Sequence, residues 1–140
     1  MELDDALDFV RARRQGVLAT TKRDGRPQLS NISYFLGDDG VVRISVTDTR
    51  AKTRNLRRDP RASLHVAQED FWAYAVLEGQ TSLTPVAASP DDDTVDQLVE
   101  YYRNLQGEHP DWDDYRRAMV ADRRLLVLFR PARAYGMLGR

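Results

Sequence analysis

The chain has 140 residues, a net charge of −1 and no cysteine. That length suits one domain spanning 1–140 with its own core, and the missing thiols exclude disulfides, cysteine nucleophiles and thiolate metal sites. The balance of 21 basic against 22 acidic residues argues against a nucleic-acid partner and puts the charge in local patches.

Leu3, Ala6, Leu7 and Val10 follow the i, i+3, i+4, i+7 spacing of an amphipathic helix, expected to end near Arg14. Gly16–Thr21 reads as a strand. Asp24-Gly25 is a hairpin signal, Pro27 closes the turn, and Gln28–Phe35 is the returning strand. In that strand Ile32 and Tyr34 face one way, Asn31 and Ser33 the other. Gly37–Gly40 forms a second turn. Val42, Ile44 and Val46 then alternate with Arg43, Ser45 and Thr47, as in a half-buried strand.

A basic segment follows directly. Arg50, Lys52, Arg54, Arg57 and Arg58 crowd together with Thr53 and Asn55, and Asp59-Pro60 stops the expected short helix. Arg supplies a planar fork, Lys a point charge and Thr a hydroxyl, which together suit a phosphate group. A helix start adds unspent N–H groups. Arg-rich surface helices are also commonly just solvated, and the spacing matches neither a Walker loop nor a dinucleotide fingerprint.

Ala62, Leu64 and Val66 alternate with Ser63 and His65 in a further strand. Phe71-Trp72-Ala73-Tyr74 sets two amphipathic aromatics just before a longer strand, Tyr74–Leu83, in which Gly79 suggests a bulge. Such a pair serves a core, a subunit interface or a flat ligand. Ser89-Pro90-Asp91 is the expected helix start, with Ser89 as cap; Val95, Leu98, Val99 and Tyr102 form the buried stripe. Trp112, Tyr115 and Met119 predict one more helix. Leu125–Phe129 is uninterruptedly apolar, as in a strand covered on both faces. The sum is a small antiparallel barrel with added helices. The acidic start Met1–Asp5 reads as no signal peptide, and no apolar run approaches a membrane span, so a cytoplasmic protein is expected.

His65 and His109 lie far apart, so no metal site is expected. A Gly-x-Ser-x-Gly elbow is lacking. Glu69, Asp70 and Glu78 are the carboxylates that a fold could pair; solvated surface acids are the simpler reading. An anion site and stacking aromatics, without an evident nucleophile, fit an enzyme whose cofactor does the chemistry.

Gly16–Thr20, Asp24–Asn31, Arg50–Ser63, Trp72–Val76 and Gly107–Arg116 resemble the small actinobacterial pyridoxamine-phosphate-oxidase-like proteins, and among them the branch using the deazaflavin coenzyme F420. The resemblance spans nearly the whole chain. It implies a mainly β fold with helices, the split antiparallel β-barrel, and a homodimer with cofactor sites between the subunits. It assigns Arg50, Lys52 and Thr53 to the cofactor phosphate, with Asn55 nearby. Gln28, Asn31 and Ser45 would lie along the ring system, and Trp72 and Tyr74 would reach across the dimer. The implied activity is hydride transfer from reduced F420 to an unsaturated planar small molecule. Arg54, Arg57 and Arg58 would meet the acidic tail of the coenzyme. The alternatives are an FMN-binding oxidase or flavin carrier on the same fold and, further off, a haem or nucleic-acid binder. The chain lacks the C-terminal substrate-phosphate motifs of the vitamin-processing oxidases, which makes oxidation of pyridoxine phosphate an unsuitable assignment.

Overall fold

The computed structural model of the protein describes residues 1–139. Four helices and seven strands follow one another along these residues: α1 (Leu3–Arg11), β1 (Gln15–Thr21), β2 (Pro27–Ser33), β3 (Phe35–Leu36), β4 (Val42–Thr47), α2 (Ala51–Arg58), β5 (Arg61–Ala67), β6 (Tyr74–Leu83), α3 (Asp93–Gln106), α4 (Trp112–Ala121) and β7 (Arg124–Met137). The strands form one curled antiparallel sheet in the order β2-β1-β5-β6-β7-β4-β3. This is the split barrel that the resemblance implies.

Period-2 alternation builds the core. Leu18, Ile44, Leu64, Leu77, Val127 and Phe129 are fully buried on the concave side. Each contributes about 1.5–3 kcal/mol of transfer energy. Tyr34 joins them, and its hydroxyl donates to the Val10 carbonyl at 2.7 Å, which ties α1 to the barrel. α2 closes one end of the barrel with Leu56. α3 and α4 cover the other face of β4 and β7 through Val95, Leu98, Leu126 and Leu128.

The chain departs from the sequence-based expectations at four points. α1 ends at Arg11 rather than near Arg14, and the Arg14 carbonyl instead accepts the Tyr34 N–H at 2.9 Å. That bond takes Tyr34 out of the ladder, so Gln28–Phe35 is not one strand: β2 stops at Ser33 and β3 pairs with β4. The α3 cap is Asp92, not Ser89. Its carboxylate accepts the N–H groups of Val95, Ser89 and Ala88, more donors than a serine hydroxyl satisfies. Finally, the apolar run at Leu125–Phe129 is only the first part of β7, whose polar continuation pairs with β6 as far as Met137. Gly79 marks a register shift against β7, as the sequence suggests.

Candidate functional site

The basic segment is a helix, as expected, and Arg50 stands at its N-cap in an extended conformation. Two side-chain contacts fix where α2 starts and how it lies. The Thr53 hydroxyl donates to the Thr47 carbonyl at 2.8 Å, which seats the first turn against the end of β4. Asn55 Nδ2 donates to Thr20 Oγ1 at 3.1 Å, which ties the middle of the helix to β1. Thr53 is fully buried and Asn55 nearly so. Both therefore sit beneath the cationic surface, facing the barrel.

Above them the cations divide into two sets. Arg57 Nη2 pairs with Asp48 at 2.6 Å, and Arg123 pairs with the other oxygen of that carboxylate at 2.8 Å. Arg58 donates to the Thr21 carbonyl at 2.8 Å and to Asn55 Oδ1 at 3.0 Å. These two arginines, expected to meet a coenzyme tail, thus have partners within the chain. Arg50 and Lys52 form no ion pair among the described residues, and their neighbours are cations. Burial, then Arg50, then Arg124 push the Lys52 ammonium below the ordinary lysine value. Arg124 is the residue that sequence reading missed. It lies far along the chain at the head of an apolar strand, and only the pairing of Thr47 with Arg124 brings it beside α2. Its Nη1 donates to Ser45 Oγ at 3.3 Å, so Ser45 belongs to this same group.

Behind Ser45, Tyr101 of α3 spans the gap in the barrel. Its hydroxyl donates to the Ser33 carbonyl at 2.9 Å on β2. Burial raises the Tyr101 pKa and pushes that of Tyr115 up to about 12, so both phenols are neutral at physiological pH.

The remaining expected residues lie elsewhere. β2 runs in unbroken register with β1, pairing Gln28 with Thr20 and Asn31 with Val17. Gln28 therefore faces inward beside Thr20, on the side of α2, while Asn31 points to the outer face. Gln28 and Asn31, both expected along the ring system, therefore lie on opposite faces of β2 within one chain, because an odd spacing in a strand separates two side chains to opposite faces. Asn31 instead heads a cross-sheet row formed with Val17, His65, Val76 and Tyr135. Tyr74 stacks on His65 with ring centroids 5.4 Å apart.

The turn before Tyr74 projects Phe71 and Trp72, which are 79% and 58% exposed. Asp70 organises it, accepting the Trp72 N–H at 3.0 Å and the Gln68 side chain at 2.9 Å. Phe71 has φ +69°, an unusual conformation for a bulky residue. Leu29, Tyr135 and Met137 add further exposed apolar surface to this side of the sheet. A groove of about 480 Å³ runs there, lined by Gln15, Val17, Asn31, His65 and Phe71. It adjoins a second of about 760 Å³ that includes Arg13, Arg14 and Glu69.

The candidate carboxylates do not pair with one another. Glu78 holds Arg133 at 3.0 Å, and Asp70 is spent on its turn. His109 sits in an aromatic cluster with Tyr102, Trp112 and Tyr115, its Nδ1 accepting the Asp111 N–H at 2.9 Å. Among the described residues no three His, Asp or Glu side chains are placed to hold a metal, and no helix is long and apolar enough to cross a membrane.

Comparison with known proteins agrees with this architecture. The pyridoxamine 5'-phosphate oxidase family model matches residues 3–137. A conserved hypothetical protein of Mycobacterium tuberculosis superposes with TM-score 0.75 at 23% identity, covering 99% of this chain and 85% of that one. A solved F420 reductase superposes with TM-score 0.67 at 25% identity, covering 87% and 89%. A FAD-binding protein of Mesorhizobium loti gives TM-score 0.68 at 18% identity over 97% and 92% of the two chains. With the split barrel in place and the family match running almost end to end, the chain belongs to the pyridoxamine 5'-phosphate oxidase family.

Proposed function

We propose that this chain is an oxidoreductase of the flavin and deazaflavin type. Specifically, it is a homodimeric F420-dependent reductase acting on an unsaturated planar small molecule. The observation that carries the reading is the pair Arg50 and Lys52 at the head of α2, cationic, close together and with no carboxylate partner. Gathering like charges costs free energy unless an anion completes the site. The donor set fits a phosphate: a guanidinium fork, an ammonium and the first N–H groups of a helix. The family match and the F420 reductase among the similar structures support the choice of cofactor.

Bound there, reduced F420 would supply a hydride to the substrate. The chain's own contribution is placement. Thr53 and Asn55 hold α2 so that Arg50 and Lys52 face the phosphate. Ser45 lies on the adjacent strand, within reach of the same group. Asn31 and Tyr74 stand on the outer sheet face, with Trp72 in the turn beside it, away from Arg50 and Lys52 of their own chain. A second copy covering Leu29, Tyr135 and Met137 would carry these residues to the site of its partner. Correct positioning alone is worth many kcal/mol of barrier, about 7–11 in favourable cases.

The test is titration of the purified protein with F420 and FMN side by side, followed by ring fluorescence. Saturable F420 binding is expected, with Lys52→Ala weakening it roughly 10- to 100-fold, as for loss of a charged phosphate contact. Tight FMN binding without F420 binding would transfer the reading to the flavin oxidases of the same fold. Affinity for neither would overturn it.

A further inference from the structure

We propose that Arg124 is a third phosphate-binding residue, delivered by β7 to complete the site that α2 begins, and held toward it by Ser45. The inference rests on the reading of Arg50 and Lys52 given above and adds a residue from a different element.

Three observations carry it. The first is position. Arg124 opens β7 and pairs with Thr47, the last residue of β4. The Thr47 carbonyl also accepts the Thr53 hydroxyl at 2.8 Å and the Arg50 N–H at 3.3 Å. One residue therefore anchors the start of α2 and sets Arg124 beside it.

The second is unspent donor capacity. Arg43, Arg57, Arg61, Arg116 and Arg133 each hold a carboxylate, at distances from 2.6 to 3.0 Å. Arg124 has a long contact of 4.0 Å to Asp122 and one bond of 3.3 Å to a neutral hydroxyl. Its side chain is nevertheless only 33% exposed. A guanidinium carries five N–H donors, and keeping most of them idle while partly removed from water is unfavourable. A ligand with several acceptor oxygens resolves this.

The third is the surrounding charge. Arg50 and Arg124 both lie near enough to Lys52 to disfavour its charge, and α3 and α4 bring the neutral phenols of Tyr101 and Tyr115 near Arg124. Asp122 is the acid that Arg124 reaches among the described residues, and it lies at the edge of ion-pair range. Among the described residues neither Arg50 nor Lys52 forms an ion pair, and Arg124 has only the long contact to Asp122.

The experiment separates a phosphate ligand from a structural arginine. Wild type, Arg124→Gln and Arg124→Lys are titrated with F420 and with the deazaflavin chromophore lacking the phosphate arm, at two salt concentrations; FMN and riboflavin serve as a second pair. Inorganic phosphate is added as competitor to show that the shared chemistry is the phosphate itself. Arg124→Gln is expected to weaken the phosphorylated member about 10- to 100-fold and to leave the phosphate-free member within about twofold. Its binding should also depend less steeply on salt. Arg124→Lys keeps the charge, loses the fork and should fall between, and it serves as the second variant if Arg124→Gln folds poorly. Equal affinity of wild type and both variants for the phosphorylated member would overturn the assignment, as would equal losses for both members of a pair. If wild type binds neither pair, the reading of α2 fails and Arg124 falls with it. If wild type binds and the variants are unaffected, only Arg124 is removed.

Discussion

Asn55→Ala distinguishes a residue that holds α2 from one that holds a ligand. Asn55 is 7% exposed and bonds Thr20 Oγ1, itself on a side chain only 2% exposed. Truncation removes that bond and strands a buried hydroxyl, which costs about 1–3 kcal/mol. The Asn55 Oδ1 contact to Arg58 adds little, because Arg58 retains the Thr21 carbonyl and solvent. A total loss of about 1–3 kcal/mol follows, and a domain of this size converts it to a fall in Tm of roughly 3–10 °C. The assay is thermal unfolding by circular dichroism, paired with cofactor titration well below both transitions. The expected result is a large drop in Tm with affinity changed by less than about fivefold, reflecting a looser helix. A tenfold or greater loss of affinity at unchanged Tm would refute the anchoring role and make Asn55 a direct ligand. Thr53→Val, which keeps the volume and loses the bond to the Thr47 carbonyl, should behave the same way at about 1 kcal/mol.

The other predictions concern the frame and the assembly. A Cβ on Gly79 would lie 2.1 Å from the Arg130 carbonyl oxygen, with backbone rather than a movable side chain in the way. Gly79→Ala should therefore part β6 from β7 locally and lower stability by about 2–4 kcal/mol in urea unfolding, the cost of a few ladder bonds; a change below about 0.5 kcal/mol would contradict the bulge geometry. Asp39 is held at about 2, against an ordinary 3.8, chiefly by its hydrogen bond from Arg43. Its folded pKa is depressed, so its contribution is full above pH 3.8 and fades as pH falls toward 2. The pair is half exposed, which keeps the effect under about 1 kcal/mol. Asp39→Asn should flatten the stability curve across that interval, and an unaltered slope would remove the pair from the account. Leu29→Glu with Tyr135→Glu should convert a dimer to monomers in light scattering, and a wild type that is already monomeric at assay concentration would remove the outer face as an interface.

What was readable in the sequence followed from local rules. Alternation at Val42–Thr47 and at Ala62–Val66 marked both strands because one face of each is buried. Gly79 was readable as a bulge because an interior strand seldom keeps a glycine without a backbone reason. Asp92 displaced Ser89 as cap because three N–H groups converge on one carboxylate, a fact of three-dimensional placement. The second half of β7 has no apolar period of its own, since Arg130, Arg133 and Tyr135 reach the outer face; only pairing with β6 defines it. Arg124 escaped for the same reason: its proximity to Lys52 is created by the β4–β7 ladder and leaves no trace in local spacing. The positive φ of Phe71 is likewise imposed by the turn that Asp70 and Gln68 brace.

The opposite facings of Gln28 and Asn31 have a consequence for how the site is assembled. A flat ligand that touched both within one chain would have to straddle the edge of β2, and Trp72 and Tyr74 stand with Asn31 rather than with the cations. Two chains remove the difficulty, since the outer face of one can meet the α2 end of the other. On the proposed dimeric reading the site divides into two parts that can be tested apart. Arg50, Lys52 and Arg124 belong to one chain and should bind phosphate whatever the oligomeric state. On the proposed reading, Asn31, Trp72 and Tyr74 contribute only if a second chain covers the outer face. A monomeric Leu29→Glu, Tyr135→Glu variant should therefore retain the salt-sensitive, phosphate-dependent part of cofactor affinity and lose the part owed to the ring. Retention of full affinity by that monomer would show that the aromatic pair plays no part in holding the cofactor.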